Sequence, residues 1–183
     1  KYLDITFFGG EPLIEAELLF WLADSFKRAL PAEMALSFRL STNGTLLTER
    51  MMAALSPRDI YVSLSVDGLP QIQDAQRPNT AGKGSRKKKK KAIPILLRAN
   101  PCASVTTVLT PYSAGHAAES IDWLYQKGFR YFNLTLDYSA DWTMEDMHLL
   151  EKSYHQLAHW YEEKMQQNQR FYLSCFDERI RSH

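Results

Sequence analysis

The amino-acid sequence predicts an α/β fold in which parallel strands form an open or partial barrel. Three observations point there. Short β-like runs alternate with longer helical ones, which implies right-handed β-α-β crossovers and a parallel sheet. The strands carry one apolar and one polar face, unlike the continuous apolar runs of a sheet covered on both sides. The residues that mark strand exits, Gly9, Asn43, Asp67, Thr110 and Asp137, all fall at C-terminal strand ends, where such folds place their chemistry.

Residues 3–8 read as the first strand, cut off by Gly9-Gly10. A helix follows, opened by Pro12 at its first turn, where a missing N–H costs little. Leu18, Leu19, Leu22, Phe26 and Leu30 recur along it at helical spacing, and Pro31 ends it. Residues 36–41 form the second strand, with Asn43-Gly44 at its exit. Thr48 caps a short helix that runs to Leu55, and residues 60–66 form the third strand. A long loop rich in Gly, Pro, Asn and Lys is expected over residues 67–85, then a helix ending near Ala99. The fourth strand covers residues 104–110, a helix residues 114–127 with Gly128 as its stop, and the fifth strand residues 131–136. A long amphipathic helix over 143–169 and a short β-like run over 171–174 complete the chain. The expected organisation is a barrel core over residues 1–142, then a segment over 143–183 that begins a connection to a further, C-terminal domain.

The strand faces argue for a wet interior. In the third strand Val62, Leu64 and Val66 share one face, and Ser63 and Ser65 the other. In the fifth, Phe132, Leu134 and Leu136 oppose Asn133, Thr135 and Asp137. Arg39 with Ser41, and Asp4 with Thr6, repeat the pattern. A doubly wound sheet would bury these polar groups under helices at a cost, whereas a partial barrel leaves them to a polar ligand.

Composition narrows the class. The 183 residues include 22 Lys+Arg and 21 Asp+Glu, a net charge of +1, with 45% apolar and 12% aromatic residues. That is globular, neither disordered nor a highly charged solvating chain. Two cysteines, Cys102 and Cys175, are too few for a disulfide framework and fit a reducing compartment. No apolar run reaches the roughly 18 residues of a membrane helix. The first residue is Lys1, already inside a strand-like run, so the chain is expected to begin partway through a larger protein.

Gly9-Gly10-Glu11-Pro12 carries the most chemistry. Two glycines at a strand exit let the backbone take positive φ and approach a ligand closely, since no Cβ intervenes. Their carbonyls and the Glu11 carboxylate offer acceptors to a ligand ammonium. The same residues also suit a plain βα turn in which Glu11 meets the dipole of the following helix. Asp67, before Gly68, suits either a turn or a group at the functional rim. Asp137 and Asp141 suit either substrate contacts or acidic caps ahead of Thr143. His155 and His159 stand at i and i+4 with Glu151 and Glu162 nearby, which fits a metal face or the polar side of an amphipathic helix. Trp21, Trp123, Trp142 and Trp160 read as packing residues.

The segment Ile5-Thr6-Phe7-Phe8-Gly9-Gly10-Glu11-Pro12-Leu13 resembles the second strand and GGEP motif of the radical S-adenosylmethionine enzymes. Ser41-Thr42-Asn43-Gly44-Thr45-Leu46-Leu47 resembles that family's third-strand exit. Val62-Ser63-Leu64-Ser65-Val66-Asp67-Gly68, with Gly82-Lys83-Gly84-Ser85, resembles the fourth strand and its loop in the SPASM-type, anaerobic sulfatase-maturase-like subgroup. Residues 171–180 resemble the stretch before that subgroup's cysteine-rich C-terminal domain. The likeness thus covers the central part of the barrel. It implies a partial (β/α)6 TIM-like barrel, truncated before the first strand and before the C-terminal domain.

The resemblance further implies S-adenosylmethionine held against a four-iron four-sulfur cluster. Reduction cleaves the sulfonium to methionine and a 5′-deoxyadenosyl radical, which takes a hydrogen atom from substrate. By resemblance Gly9, Gly10 and Glu11 would contact the methionine ammonium, and Asn43 would face the ligand. Ser65 and Ser63 would contact the ribose or the methionine carboxylate, and Leu109 would pack on the adenine. Asp67 and Asp137 are the candidates for a catalytic role. The family holds its cluster in a C-x3-C-x2-C loop, which Cys102 and Cys175 do not provide. No metal ligand is therefore expected in this chain, which alone would be inactive.

The implied partners are a peptide or protein substrate and an electron donor for the cluster, in the cytoplasm, with no membrane and no nucleic acid. The alternative is a non-redox, barrel-like module that binds a nucleoside or peptide. The first strand would leave an open edge through which the chain self-associates. Arg86-Lys87-Lys88-Lys89-Lys90-Lys91 departs from the family, which would place an amphipathic helix there. Six cations suit phosphates, an acidic leader peptide, a solvated face or a segment foreign to the family, and no function is placed on them.

Overall fold

A computed structural model describes residues 1–31, 33–76 and 86–182, the side chains of 86–90 excepted. In chain order the strands and helices are β1 (Tyr2–Phe7), α1 (Ala16–Ala29), β2 (Ala35–Thr42), α2 (Glu49–Leu55), β3 (Ile60–Ser65), α3 (Pro70–Gln76) and α4 (Arg86–Ala99). There follow β4 (Ser104–Leu109), α5 (Ala117–Gln126), β5 (Tyr131–Leu136), α6 (Met144–Gln166), β6 (Tyr172–Leu173) and α7 (Ser174–Arg181). The chain packs as two units, Lys1–Ser65 with Lys88–Ala103, and Val66–Lys87 with Ser104–His183.

In the first unit β1 pairs with β2 and β2 with β3, all parallel, with Phe7 beside Leu40 and Ser41 beside Ser63. Phe38, Leu40, Val62 and Leu64 are buried on one face. The other face carries an ion pair from Arg39 Nε to Asp4 at 2.9 Å, and the Ser37 hydroxyl donates to Asp4 at 2.7 Å. The division into an apolar and a polar face is therefore as expected. Pro12 does not open the α-helix directly, because a 3₁₀ turn at Pro12–Glu15 precedes α1. The Thr48 hydroxyl accepts from the Met51 amide at 3.1 Å and starts α2 as expected. Arg58 donates to Asp24 and to the Ala54 carbonyl, both at 2.8 Å, and lies over the Phe20 ring, pinning α1 to the end of α2. The helix that ends at Ala99 starts as early as Arg86, so the basic run is helical backbone rather than an interruption of the helix. It buries Ala92, Ile93 and Leu96 and leaves Pro94 exposed.

In the second unit β4 pairs with β5 over six residues, and β5 with β6 over two, again parallel. The long helix α6 opens with a reciprocal cap, in which Thr143 and Asp146 each bond the other's backbone amide. The Thr143 hydroxyl holds the Asp146 carboxyl below the usual carboxylate range. Ser153 of α6 accepts from the Ala117 amide at 2.8 Å, and Trp160 donates to Asp122 at 2.8 Å, which seats α6 on α5. Tyr125, Trp160, Phe171 and Tyr161 add edge-to-face ring contacts.

Two expectations are corrected here. The segment expected as a loop from residue 67 contains α3, whose Ile72 and Gln73 are buried. Residues 77–85, with the Gly82–Ser85 part of the motif, lie outside the described residues. The β-like run near residue 171 shrinks to two residues, after which the chain turns into α7.

Candidate functional site

β1 ends at Phe7, and Gly9 takes a φ of +132°, a region that L side chains rarely adopt. Among the described residues nothing lies within 4 Å of where a Cβ would stand at Gly9 or Gly10, so both face open space there. The next residue closes the turn. Glu11 Oε1 accepts from the Leu13 amide at 3.1 Å and from the Thr42 hydroxyl at 2.7 Å, and Oε2 accepts from the Asn43 amide at 2.7 Å. One carboxylate thus caps the 3₁₀ turn after β1 and ties that turn to the exit of β2.

Around this junction the polar groups are directed. The Thr42 hydroxyl, on a residue only 2% exposed, also accepts from the Gly44 amide at 3.0 Å. Asn43 uses Oδ1 to accept from the Thr45 amide at 2.8 Å, while its Nδ2 has no partner among the described residues. Ser63 and Ser65 are half-buried and alternate with the buried Val62 and Leu64. Gly9, Gly10, Glu11, Asn43, Ser63 and Ser65 therefore lie at or near the C-terminal ends of three adjacent strands. Thr42 is the residue that sequence reasoning missed, since a threonine ending a strand carries no signal of a buried bond to a glutamate thirty-one positions away.

The remaining candidates belong to the second unit. Asp67 is 2% exposed, its amide donates to Gln73 Oε1 at 3.1 Å, and its carboxylate accepts from the Val108 amide at 3.4 Å. Leu109 is completely buried, in phase with Val105 and Thr107, and offers no surface to an adenine ring as it stands. Asp137 Oδ1 accepts from the Ser139 hydroxyl at 2.6 Å and amide at 3.0 Å, which holds its carboxyl below the usual range. It closes a local turn, and its carbonyl accepts from the Trp142 indole at 2.8 Å.

The metal readings do not fit. His155 and His159 are exposed, His159 pairs with Glu163 at 3.2 Å, and no metal-capable group of three His, Cys, Asp or Glu occurs among the described residues. Cys102 is exposed and belongs to the first unit, and Cys175 is half-buried in the second. Burial pushes the Cys175 thiol up to about 12, against the thiolate that a cluster requires. These residues do not fit a four-iron cluster.

Comparison with known proteins supplies the context. The sequence model of the radical SAM superfamily matches residues 2–124. The chain is 30% identical over 134 residues to an uncharacterized protein of Methanocaldococcus jannaschii, covering 73% of this chain and 46% of that one. It is 27% identical over 132 residues to a serine-type anaerobic sulfatase-maturating enzyme of Klebsiella aerogenes, 72% of this chain and 33% of the relative. A cysteine-type anaerobic sulfatase-maturating enzyme of Clostridium perfringens is 23% identical over 137 residues, 71% and 35% of the two chains. The chain thus spans between a third and a half of the length of these relatives. Among solved structures, native anSMEcpe with bound AdoMet and Kp18Cys peptide matches 96% of this chain and 51% of its own, with a TM-score of 0.83 at 21% identity. Native anSMEcpe with bound AdoMet matches with a TM-score of 0.82 at 22% identity, over 96% of this chain and 50% of its own. These likenesses bear out the expected fold class, an α/β partial barrel of parallel strands. With its strand-exit glycines and the family match over two-thirds of its length, the chain belongs to the radical S-adenosylmethionine superfamily.

Proposed function

We propose that this chain is the S-adenosylmethionine-binding part of a radical enzyme that modifies a peptide or protein, as its sulfatase-maturating relatives and the peptide-bound structural neighbour suggest. The observation that carries the reading is the Glu11 junction, where, among the described residues, two glycines face open space and the Asn43 side-chain NH2 has no partner. Carbonyls and a carboxylate suit the methionine ammonium, and the Asn43 side-chain amide with Ser63 and Ser65 suits its carboxylate or the ribose. When bound, S-adenosylmethionine supplies the radical chemistry through reductive cleavage of its sulfonium. The residues here do the rest: Glu11 fixes the spacing of two strand exits, and Gly9 lets the backbone approach the ligand. A cluster, reduced by an external electron donor, would be held by ligands other than Cys102 and Cys175. A reducing, cytoplasmic setting accords with the two free thiols.

The whole protein, supplied anaerobically with iron, sulfide and a reductant, is expected to convert S-adenosylmethionine to 5′-deoxyadenosine and methionine. Liquid chromatography of the reaction reads both products. A reconstituted protein that forms neither overturns the proposal and favours a non-redox nucleoside- or peptide-binding module.

The first unit also bears on association. No strand pairs with the outer edge of β1 among the described residues. Phe8 is 82% exposed, and Ile14, Leu18 and Trp21 are exposed at i, i+4 and i+7 along the same helical stretch. The 183-residue chain by itself is expected to oligomerise as its concentration rises, and Leu18→Glu with Trp21→Glu to shift it towards monomer. Light scattering behind size exclusion measures this; a monomer at every concentration would refute the contact.

A further inference from the structure

We infer that Thr42 is a positioning residue for the ligand ammonium, acting through Glu11. This rests on the S-adenosylmethionine reading above. The Thr42 side chain has one proton to donate, and its oxygen already accepts from the Gly44 amide at 3.0 Å. That amide aims the hydroxyl, and its proton goes to Glu11 Oε1 at 2.7 Å. With the Leu13 amide on the same oxygen and the Asn43 amide on Oε2, three of the roughly four acceptor positions of the carboxylate are taken. The plane of the carboxylate is thereby fixed. What stays open among the described residues is an acceptor position on Oε2, the oxygen that carries a single hydrogen bond, and that is the one left for a cation.

Thr42 never needs to touch the ligand. It is 2% exposed, and its hydroxyl is engaged on both sides. Without it Glu11 keeps two backbone bonds but gains freedom to swing Oε1 away, so the free acceptor on Oε2 loses its direction. The effect should be confined to ligands that carry the ammonium.

The test compares two probes on the whole protein by isothermal titration: S-adenosylmethionine, and 5′-methylthioadenosine, which shares the nucleoside but lacks the amino-acid end. Thr42→Val is expected to weaken S-adenosylmethionine about tenfold, as for loss of one bond to a carboxylate, and to leave methylthioadenosine unchanged. Thr42→Ser keeps the hydroxyl and restores the affinity. If Thr42→Val does not fold, Thr42→Ala removes the same hydroxyl without new bulk and is judged by the same comparison. Equal losses for both probes would show a merely structural threonine, and no loss for either would also overturn the assignment. A wild-type protein that binds neither probe overturns the S-adenosylmethionine reading itself, and this assignment with it.

Discussion

Gly68→Ala is expected to destabilise the second unit severely. Gly68 sits just past β3 with a φ of +103°, and a Cβ there would stand 2.2 Å from the Ser120 Cβ and 2.9 Å from its Cα. Two penalties coincide. The backbone angle is strained for any L side chain, worth about 1–3 kcal/mol. The new methyl also runs into the body of α5, where overpacking costs typically about 1–3 kcal/mol. That helix has no room to retreat, because Ser120, Ile121 and Leu124 are all completely buried. Against a total stability on the order of 5–15 kcal/mol, the combined loss is large. Urea titration should show a much lower midpoint. Adding Ser120→Gly should return only part of it, since the clash with the backbone of α5 and the strained φ remain. Gly10→Ala is the matched control, with nothing among the described residues within 4 Å of its Cβ and an ordinary φ, and should melt near the wild type. An unchanged midpoint for Gly68→Ala would refute the argument.

The contrast between these glycines shows what the sequence could and could not reveal. Strand alternation is a local signal, so spacing alone assigns Val62, Leu64, Ser63 and Ser65 to their faces, and local chemistry marks Thr48 as a cap and Pro31 as a helix end. The helix α3 is hidden because its segment, Pro-Gln-Ile-Gln-Asp-Ala-Gln, has one strongly apolar residue and no stripe. It is held instead by specific bonds: Gln73 accepts from the Asp67 amide, and Gln76 donates to Thr110. The start of α7 is hidden for the opposite reason. Phe-Tyr-Leu-Ser reads as strand, but the Ser174 hydroxyl takes the Leu134 amide at 3.0 Å and substitutes for a ladder bond where β6 stops. At the candidate site the motif residues are legible and their bonding is not. Both readings of Glu11, turn cap and binding group, rest on the same carboxylate, and only the approach of Thr42 and Asn43 from β2 shows that one group serves the junction.

Glu11→Gln should therefore be far from conservative. All three groups that meet the carboxylate are donors: the Leu13 amide, the Thr42 hydroxyl and the Asn43 amide. A glutamine of the same shape brings one oxygen and one NH2. If the oxygen stays with Leu13 and Thr42, the NH2 faces the Asn43 N–H, donor against donor. If the amide turns over, the single bond to Asn43 is kept and two are lost, although the hydroxyl can rotate to accept. Either way at least one donor loses its partner, at about 1–3 kcal/mol. The cost is local, because the junction lies at strand tips and the packing of Phe38, Leu40 and Leu64 is untouched. Amide hydrogen exchange should rise most at Asn43, or at Leu13 where the amide turns over, by roughly ten- to a hundredfold, while the amides of central β2 stay protected. Affinity for S-adenosylmethionine should fall more than in Thr42→Val, since the ammonium then meets either an NH2 or a neutral amide oxygen where the carboxylate stood. Exchange that quickens evenly through β1 and β2 would instead mean that Glu11 supports the whole sheet, and the junction would lose its claim to be a binding device.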